Sequence, residues 1–247
     1  MEILLTRQQF EETYKLNKFA KRAIDKYKLK FPIYSTANLA KIVAYLTFDG
    51  HMTVEKGMII FTAGKKELLK EPMQLMYKQF GVKGKIKKVM TNNYGKSFEY
   101  RISNKPLCRI LKAIGVPDGN KIFNIVNVPK WIKNSKKFSK VYLRVAFDCE
   151  GSIWKEKNGA VRLRFRLHKS SKKIKNCISF INEIKNMLSY FNIETTNIWF
   201  GKGNLRKDGN ITKAVVFGIK SNSMQKFKKA IGFGIKEKKY RLSKYVK

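Results

Sequence analysis

The spacing of apolar residues along this chain changes in a fixed order, and the order occurs twice. Leu39, Ile42, Val43 and Leu46 recur at helical spacing behind an N-cap candidate, Ser35 or Thr36, and the run stops at Asp49-Gly50. Past the glycine the pattern becomes alternating, so Met52, Val54 and residues 58–62 read as a hairpin. Leu68, Leu69, Met73, Leu75 and Met76 then predict a helix over 65–80. Residues 85–90 and 97–102 read as two more strands, joined by a turn at Asn92-Asn93-Tyr94-Gly95. In the second, Phe98, Tyr100 and Ile102 alternate with Ser97, Glu99 and Arg101, which buries one face and wets the other. A helix over 104–114 completes the order of helix, two strands, helix, two strands, helix.

The second pass begins at Asn134 or Ser135, where Phe138, Val141, Tyr142, Val145 and Ala146 lead to Glu150-Gly151. Behind it Val161, Leu163, Phe165 and Leu167 alternate with Arg162, Arg164 and Arg166, and period-2 geometry puts all three arginines on one sheet face. A helix over 171–191 follows, then two longer strands meeting at Lys207-Asp208-Gly209-Asn210. Residues 102–116 lie over 219–233 without a gap, at an offset of 117 (219 − 102). Within that overlap Lys112-Ala113-Ile114-Gly115-Val116 matches Lys229-Ala230-Ile231-Gly232-Phe233, and five residues beyond stand Lys121 and Lys238. The two acids are only 101 apart (150 − 49), so the second copy carries 16 extra residues (117 − 101), assigned to loops and strand tips.

The division this predicts is a basic extension over 1–34, a first half over 35–128, a linker over 129–137 and a second half over 138–247. Phe10, Tyr14, Phe19 and Ile24 give the extension a loosely helical pattern ended by Pro32; it is expected to cover one edge as a surface helix, the alternative being a separate DNA-binding arm.

Charge narrows the partner. Lys and Arg number 54 against 17 Asp and Glu, a formal net charge of +37, and the basic residues run from end to end. Such a cation calls for a polyanion, with nucleic acid ahead of a membrane surface, whose usual mark is a single basic amphipathic helix. The 43% hydrophobic content supports a real core. With no apolar stretch long enough to span a bilayer and no signal-peptide pattern, no membrane association and an intracellular location are expected, cytoplasmic in a prokaryote. Cys108, Cys149 and Cys177 are odd in number and widely spaced, and all three read as small buried residues.

A carboxylate directly before a glycine at the end of an apolar helix is ordinary once and informative twice. If both helix ends meet, their partial negative charge and the two acids repel until a cation arrives. Mg²⁺ fits, because it takes one or two carboxylates and keeps water and phosphate oxygens as its other ligands. Metal-dependent phosphodiester hydrolysis is the reaction this implies.

Residues 44–50 and 145–151 resemble the two degenerate motifs of single-chain LAGLIDADG homing endonucleases, over roughly residues 36–243. The resemblance implies an α+β fold of two pseudo-symmetric αββαββα halves, with motif helices packed at the centre and two antiparallel sheets forming a DNA-binding saddle. It makes Asp49 and Glu150 the metal ligands, with Gly50 and Cys149 beside them, and Mg²⁺ the cofactor, Mn²⁺ substituting. The motif's first acid is matched by Asp148 but replaced by Thr47 in the first half, so neither is given a metal role. Lys121 and Lys238 take the place of the family's active-site lysines, and Lys169 that of the polar residue at the end of the second strand, for which Lys65 is the weaker first-half match. Arg162, Arg164, Arg166, Lys85, Lys87, Arg101, Lys202, Arg206 and Lys213 would face a major groove, arginine reading guanine and lysine neutralising phosphate. His51 and His168 are read as ordinary polar residues near a wet site, and the tryptophans as packing or rim residues.

The expected activity is thus that of a monomeric, site-specific double-strand DNA endonuclease with a long asymmetric target, of intron or intein origin. The alternatives are an RNA maturase with intron RNA as partner, and a catalytically silent DNA-binding regulator.

Overall fold

The helices Arg7–Glu11, Ala37–Thr47, Lys105–Ala113 and Lys136–Glu150 begin where short polar side chains accept the first free backbone N–H groups; Thr6 does so for the first, from Gln9 N at 3.2 Å. The Thr36 hydroxyl accepts from Leu39 N at 3.0 Å, the Asn104 carbonyl oxygen from Leu107 N at 3.0 Å and the Ser135 hydroxyl from Phe138 N at 3.3 Å. The computed structural model describes residues 2–91, 95–206 and 208–246; Asn92, Asn93, Tyr94 and Lys207 of the two expected turns lie outside the described residues. The chain forms two compact units, Met1–Gly119 and Asn120–Lys247.

The first unit opens with β1 (Ile3–Leu5), α1 (Arg7–Glu11), α2 (Asn17–Tyr27) and β2 (Ile33–Tyr34). It continues with α3 (Ala37–Thr47), β3 (Gly50–Thr53), β4 (Met58–Ala63), α4 (Lys70–Phe80), β5 (Lys85–Thr91), β6 (Gly95–Ser103) and α5 (Lys105–Ala113). β3 to β6 make an antiparallel sheet of order β3-β4-β6-β5. Its inner face presents Met52, Ile59, Phe61, Tyr100 and Ile102, all buried, which follows from alternation in strands covered on one side. The extension is built into this unit. Phe10 is fully buried against Tyr14 and Phe31, α1 and α2 pack on α5, and Arg109 of α5 donates to the Thr13 carbonyl while stacking on Tyr14 at 4.2 Å.

The second unit contains α6 (Lys130–Lys133), α7 (Lys136–Glu150), β7 (Gly151–Lys155), β8 (Val161–Ser170), α8 (Ile174–Ser189), β9 (Trp199–Phe200), β10 (Asn204–Leu205), β11 (Ile211–Gly218), α9 (Met224–Ala230) and α10 (Lys236–Tyr245). Its antiparallel sheet runs β10-β11-β8-β7, with β9 also pairing β11. The core is aromatic: Phe147 of α7 meets Phe165, Phe217 and Phe227 at centroid distances of 5.2, 6.3 and 4.8 Å.

Three expectations need correction. The stretch expected as a linker, 129–137, is not one: it forms α6, buries Trp131 and Ile132, and is tied to α8 because Glu183 accepts from Val128 N at 2.8 Å and from Lys133. The long strand expected before residue 207 is two short pieces, since Gly201, Lys202 and Gly203 interrupt it. Cys149 is half-buried rather than buried, because it stands on the last turn of α7; Cys108 and Cys177 are buried as expected.

Candidate functional site

The two acid-glycine endings differ in geometry. α7 stays helical through Glu150, which is half-buried, whereas α3 stops at Thr47, Phe48 leaves helical angles, and Asp49 is exposed beyond the helix end. Thr47 contributes to the early stop by donating its hydroxyl back to the Val43 carbonyl at 2.7 Å, a bond that competes with a regular turn. The glycines are fixed by space. Gly151 is extended, at φ −82° and ψ 145°, and a Cβ there would lie 2.4 Å from the Phe147 carbonyl oxygen. At Gly50 it would lie 2.9 Å from Leu46 and 3.0 Å from the Ile60 carbonyl oxygen.

Asp148 is buried at 5% exposure. Its carboxylate accepts from Gly234 N at 3.0 Å and from Ile235 N at 3.1 Å, so it clamps the chain entering α10 onto the end of α7. Gly234 is needed there, since a Cβ would lie 2.7 Å from the Asp148 oxygen. Four residues further on, Lys238 donates to the carbonyls of Asp148 and of Gly151, the latter at 2.7 Å. Its ammonium therefore sits at the negative end of the α7 dipole, on the carbonyl of the residue that follows Glu150. The first unit solves the same problem in reverse. With Thr47 on the helix, the acid is on the loop: Asp118 accepts from Val54 N at 3.0 Å and from Lys112 at 2.8 Å, and Gly119 N donates to the Met52 carbonyl at 2.8 Å. Burial pushes the Asp118 carboxyl up, but these hydrogen bonds, with the charges of Lys112 and His51, outweigh it and hold it below the usual range. Sequence reasoning missed Asp118; its one signal is that it stands two residues past Val116, as Ile235 does past Phe233.

Lys169 points to the inner side of its sheet. Its ammonium donates to the carbonyls of Lys121 and, at 3.1 Å, Asn124, fastening residues 121–124 to the end of β8. Burial lowers its pKa. Burial also pushes the Cys177 thiol up to about 11, with Lys169 opposing and Glu150 adding to the effect, so these three residues act on one another within the second unit. Lys121 falls in the second unit, which begins at Asn120, and its carbonyl is held by Lys169. Among the described residues no group of three or more His, Cys, Asp and Glu could hold a metal ion alone.

On the outer face of the second sheet, β7 pairs Ser152 with Arg164 and Trp154 with Arg162, and β11 pairs Val216 with Arg166. Opposed residues share a face, so the three arginines stand together as the alternation predicts. They are not equivalent. Arg162 pairs with Glu156 at 3.1 Å, whereas the Arg164 guanidinium lies 4.7 Å over the Trp154 ring and donates to the Ser152 hydroxyl at 3.2 Å. The Arg166 Nε is buried without a hydrogen-bond partner among the described residues. Lys213 corrects the expectation: it is paired with Lys169 and so stands on the opposite face from the arginines. Arg206 pairs with Asp208 at 3.3 Å, and Lys202 is exposed in the break between β9 and β10. In the first unit Lys85 and Lys87 oppose Arg101 and Glu99, which puts all four on the sheet's outer face, with Arg101 bonded to Glu99 at 2.6 Å. His51 shares that face, bonded to Thr53 at 2.8 Å, and His168 is exposed on the arginine face.

These features define a duplicated α+β protein, each unit placing an acid-glycine pair at or just past the end of its first repeat helix and carrying an antiparallel sheet with a basic outer face. Residues 36–115 match the sequence family described as the LAGLIDADG-like domain. The fold of the chain is that of the homing endonuclease I-DmoI, represented by mesophilic variants, with a TM-score of 0.50 and 17% identity over 84% of this chain and 99% of that one. It is also that of the homing endonuclease I-WcaI bound to its DNA recognition sequence, with a TM-score of 0.53 and 11% identity over 94% and 97%. Among curated proteins, 30% identity over 224 residues links 84% of this chain to 16% of the DNA-directed RNA polymerase subunit Rpo1N of Methanocaldococcus jannaschii. The replication factor C small subunit of the same organism is 32% identical over 63% of this chain and 9% of its own length. The tRNA-splicing ligase RtcB of Pyrococcus abyssi is 27% identical over 64% and 18%. The chain spans less than a fifth of the length of each of these relatives.

Proposed function

We propose that this protein is a site-specific, divalent-metal-dependent DNA endonuclease that hydrolyses phosphodiesters in double-stranded DNA as a monomer. The observation that carries the reading is the second unit, where one α7 end presents Glu150, is held by Asp148 and Lys238, and leads directly into the sheet bearing Arg162, Arg164 and Arg166. Asp49 is the corresponding acid of the first unit. Each unit's acid suits Mg²⁺ or Mn²⁺: among the described residues no group of three or more His, Cys, Asp and Glu closes a cage of protein ligands, which leaves room for water and phosphate oxygens. Glu150 in the second unit and Asp49 in the first are the carboxylates that would hold such an ion, which would supply an acidified water and charge stabilisation at the phosphate.

The chain's own residues do the positioning. Lys238 and Asp148 fix the last turn of α7, so Glu150 is offered in one place instead of on a fraying helix end. Lys169 fixes the backbone that carries Lys121. Arg164, flattened on Trp154, is pre-ordered for a bidentate contact to guanine, while Lys85, Lys87 and Lys202 offset phosphate charge. The recurrence of one stretch within three relatives whose names share no activity supports descent from a portable genetic element of intein type.

The test is Mg²⁺-dependent cleavage of a randomised duplex library by the wild type, Asp49→Asn and Glu150→Gln. Loss of cleavage in both variants, with DNA binding retained, is expected. Absence of cleavage with Mg²⁺ and Mn²⁺, together with binding indifferent to chelator, sinks the proposal, and selective retention of a structured RNA would replace it with the maturase reading.

A further inference from the structure

The segment before the family match carries a charge that the sheets do not account for. The match starts at residue 36, and residues 15–30 before it hold seven cations, Lys15, Lys18, Lys21, Arg22, Lys26, Lys28 and Lys30, against the single acid Asp25. All seven are exposed, and none is in an ion pair among the described residues. Lys18, Arg22 and Lys26 stand at i, i+4 and i+8 along α2, so they line one stripe of the helix and repel one another. α10, by contrast, offsets part of its charge with the Glu237–Arg241 pair at 2.7 Å. Two aromatics sit within the basic surface of α2: Phe19, 49% exposed, and Tyr27, 39% exposed, each with a lysine 5.6 Å from its ring. Ala20, Ala23 and Ile24 fasten the other side of the helix. α2 packs on α5, and the stripe lies on the side of α2 opposite Ala20, Ala23 and Ile24, so it faces solvent and not the unit's core.

We propose that this face of α2 is a second DNA-binding surface, which takes the phosphate backbone of a duplex segment other than the one lying on the sheets. Self-repelling cations that outnumber their one local acid, Asp25, seven to one gain most from a linear polyanion, whose condensed counterions they displace. The stripe's lysines and Arg22 are not held in one orientation by any hydrogen bond among the described residues, so they suit phosphate neutralisation and not the fixed geometry that base readout needs, and the contact is independent of sequence. One molecule then holds two duplex segments and transfers between them without complete release.

The experiment uses the full chain and a 20-base-pair duplex of arbitrary sequence, with stoichiometry measured by sedimentation at low salt and a photo-crosslinking residue at Phe19. The wild type is expected to take up one more duplex per protein than Lys18→Gln/Arg22→Gln/Lys26→Gln, and the crosslinker to capture DNA. The variant's salt slope, log K against log salt, should fall by about 2 to 3, as expected for three lost phosphate contacts. Unchanged stoichiometry and slope with no crosslink would overturn the proposal. So would preferential capture of duplex RNA, or of phosphatidylglycerol vesicles, at this face. The cleavage assay is scored separately, so a failed nuclease reading and a failed second surface give different results.

Discussion

Replacing Asp148 by Asn keeps the shape of the side chain and removes its charge, and the consequence can be sized from the contacts. The carboxylate accepts two backbone N–H groups, Gly234 at 3.0 Å and Ile235 at 3.1 Å, at 5% exposure. An asparagine can offer its single oxygen to one of them and must turn its NH₂ towards the other or away from both. Hydrogen bonds to a charged acceptor are worth about 1.5–3 kcal/mol each, so Asp148→Asn should destabilise the second unit by about 1.5–3 kcal/mol. Asp148→Ala, which leaves both donors unsatisfied, should cost about 3–5 kcal/mol. The three tryptophans, Trp131, Trp154 and Trp199, all lie in the second unit, so tryptophan fluorescence during urea unfolding reports that unit alone. With a slope of about 2 kcal/mol per molar urea, the midpoint should fall by about 1 M for the asparagine variant. Hydrogen exchange should accelerate over 232–238, because the entry to α10 is released, and Lys238 should lose its hold on α7. A midpoint within 0.2 M of wild type, or unchanged exchange at Gly234 and Ile235, would show that the clamp does not exist.

Gly151→Ala should lower the same midpoint by an amount corresponding to about 1–3 kcal/mol, because its Cβ would lie 2.4 Å from a helix carbonyl; Gly64→Ala, with nothing within 4 Å, should stay within about 0.5 kcal/mol of wild type. Lys169→Met should cost about 1–3 kcal/mol and speed exchange over 120–126, since the carbonyls of Lys121 and Asn124 lose their donor; unchanged exchange there would refute the fastening. Asp118 has its carboxyl held below the usual value, so its contribution to stability is present above the unfolded pKa of about 4 and is lost as pH falls through the lower folded value. Asp118→Asn should therefore be destabilised at pH 7 and converge on wild type in acid, which a pH series of thermal midpoints on both proteins would test; parallel curves would contradict it.

The order of elements was legible because the apolar period changes from helical to alternating and back at each boundary, and because Thr36, Asn104 and Ser135 mark starts with side chains suited to capping. The arginine face was legible for the same reason: within one strand parity is fixed. Parity across a hairpin is set by register instead, and the break at Gly201, Lys202 and Gly203 hid it. Lys213 was accordingly assigned to the wrong face, its opposition to Lys169 being a long-range fact. The tie between Glu183 and Val128 was equally invisible, although Trp131-Ile132 inside a polar stretch is a signal of burial that composition alone obscured.

The two repeats show why a motif read residue by residue misleads at its first acid. Each unit must hold the segment following its last repeat helix against the region where the acid-glycine motif ends. In the second unit the acid is on the helix and the donors are on the loop: Asp148 with Gly234 N and Ile235 N. In the first the acid is on the loop and the donor is in the strand turn: Asp118 with Val54 N. One negative charge per unit is conserved as a function while its sequence position moves, which frees position 47 to be threonine. Thr47 then shortens α3, and Asp49 is left exposed beyond the helix while Glu150 remains within one. On the proposed nuclease reading the asymmetry predicts unequal strand cleavage: Glu150, inside a helix whose end Asp148 and Lys238 hold, should support the faster cut, and Asp49, exposed beyond its helix end, the slower. Nicked intermediate should accumulate in a time course with the wild type, always broken in the same strand; equal accumulation of both nicks would refute the link between helix-end geometry and rate.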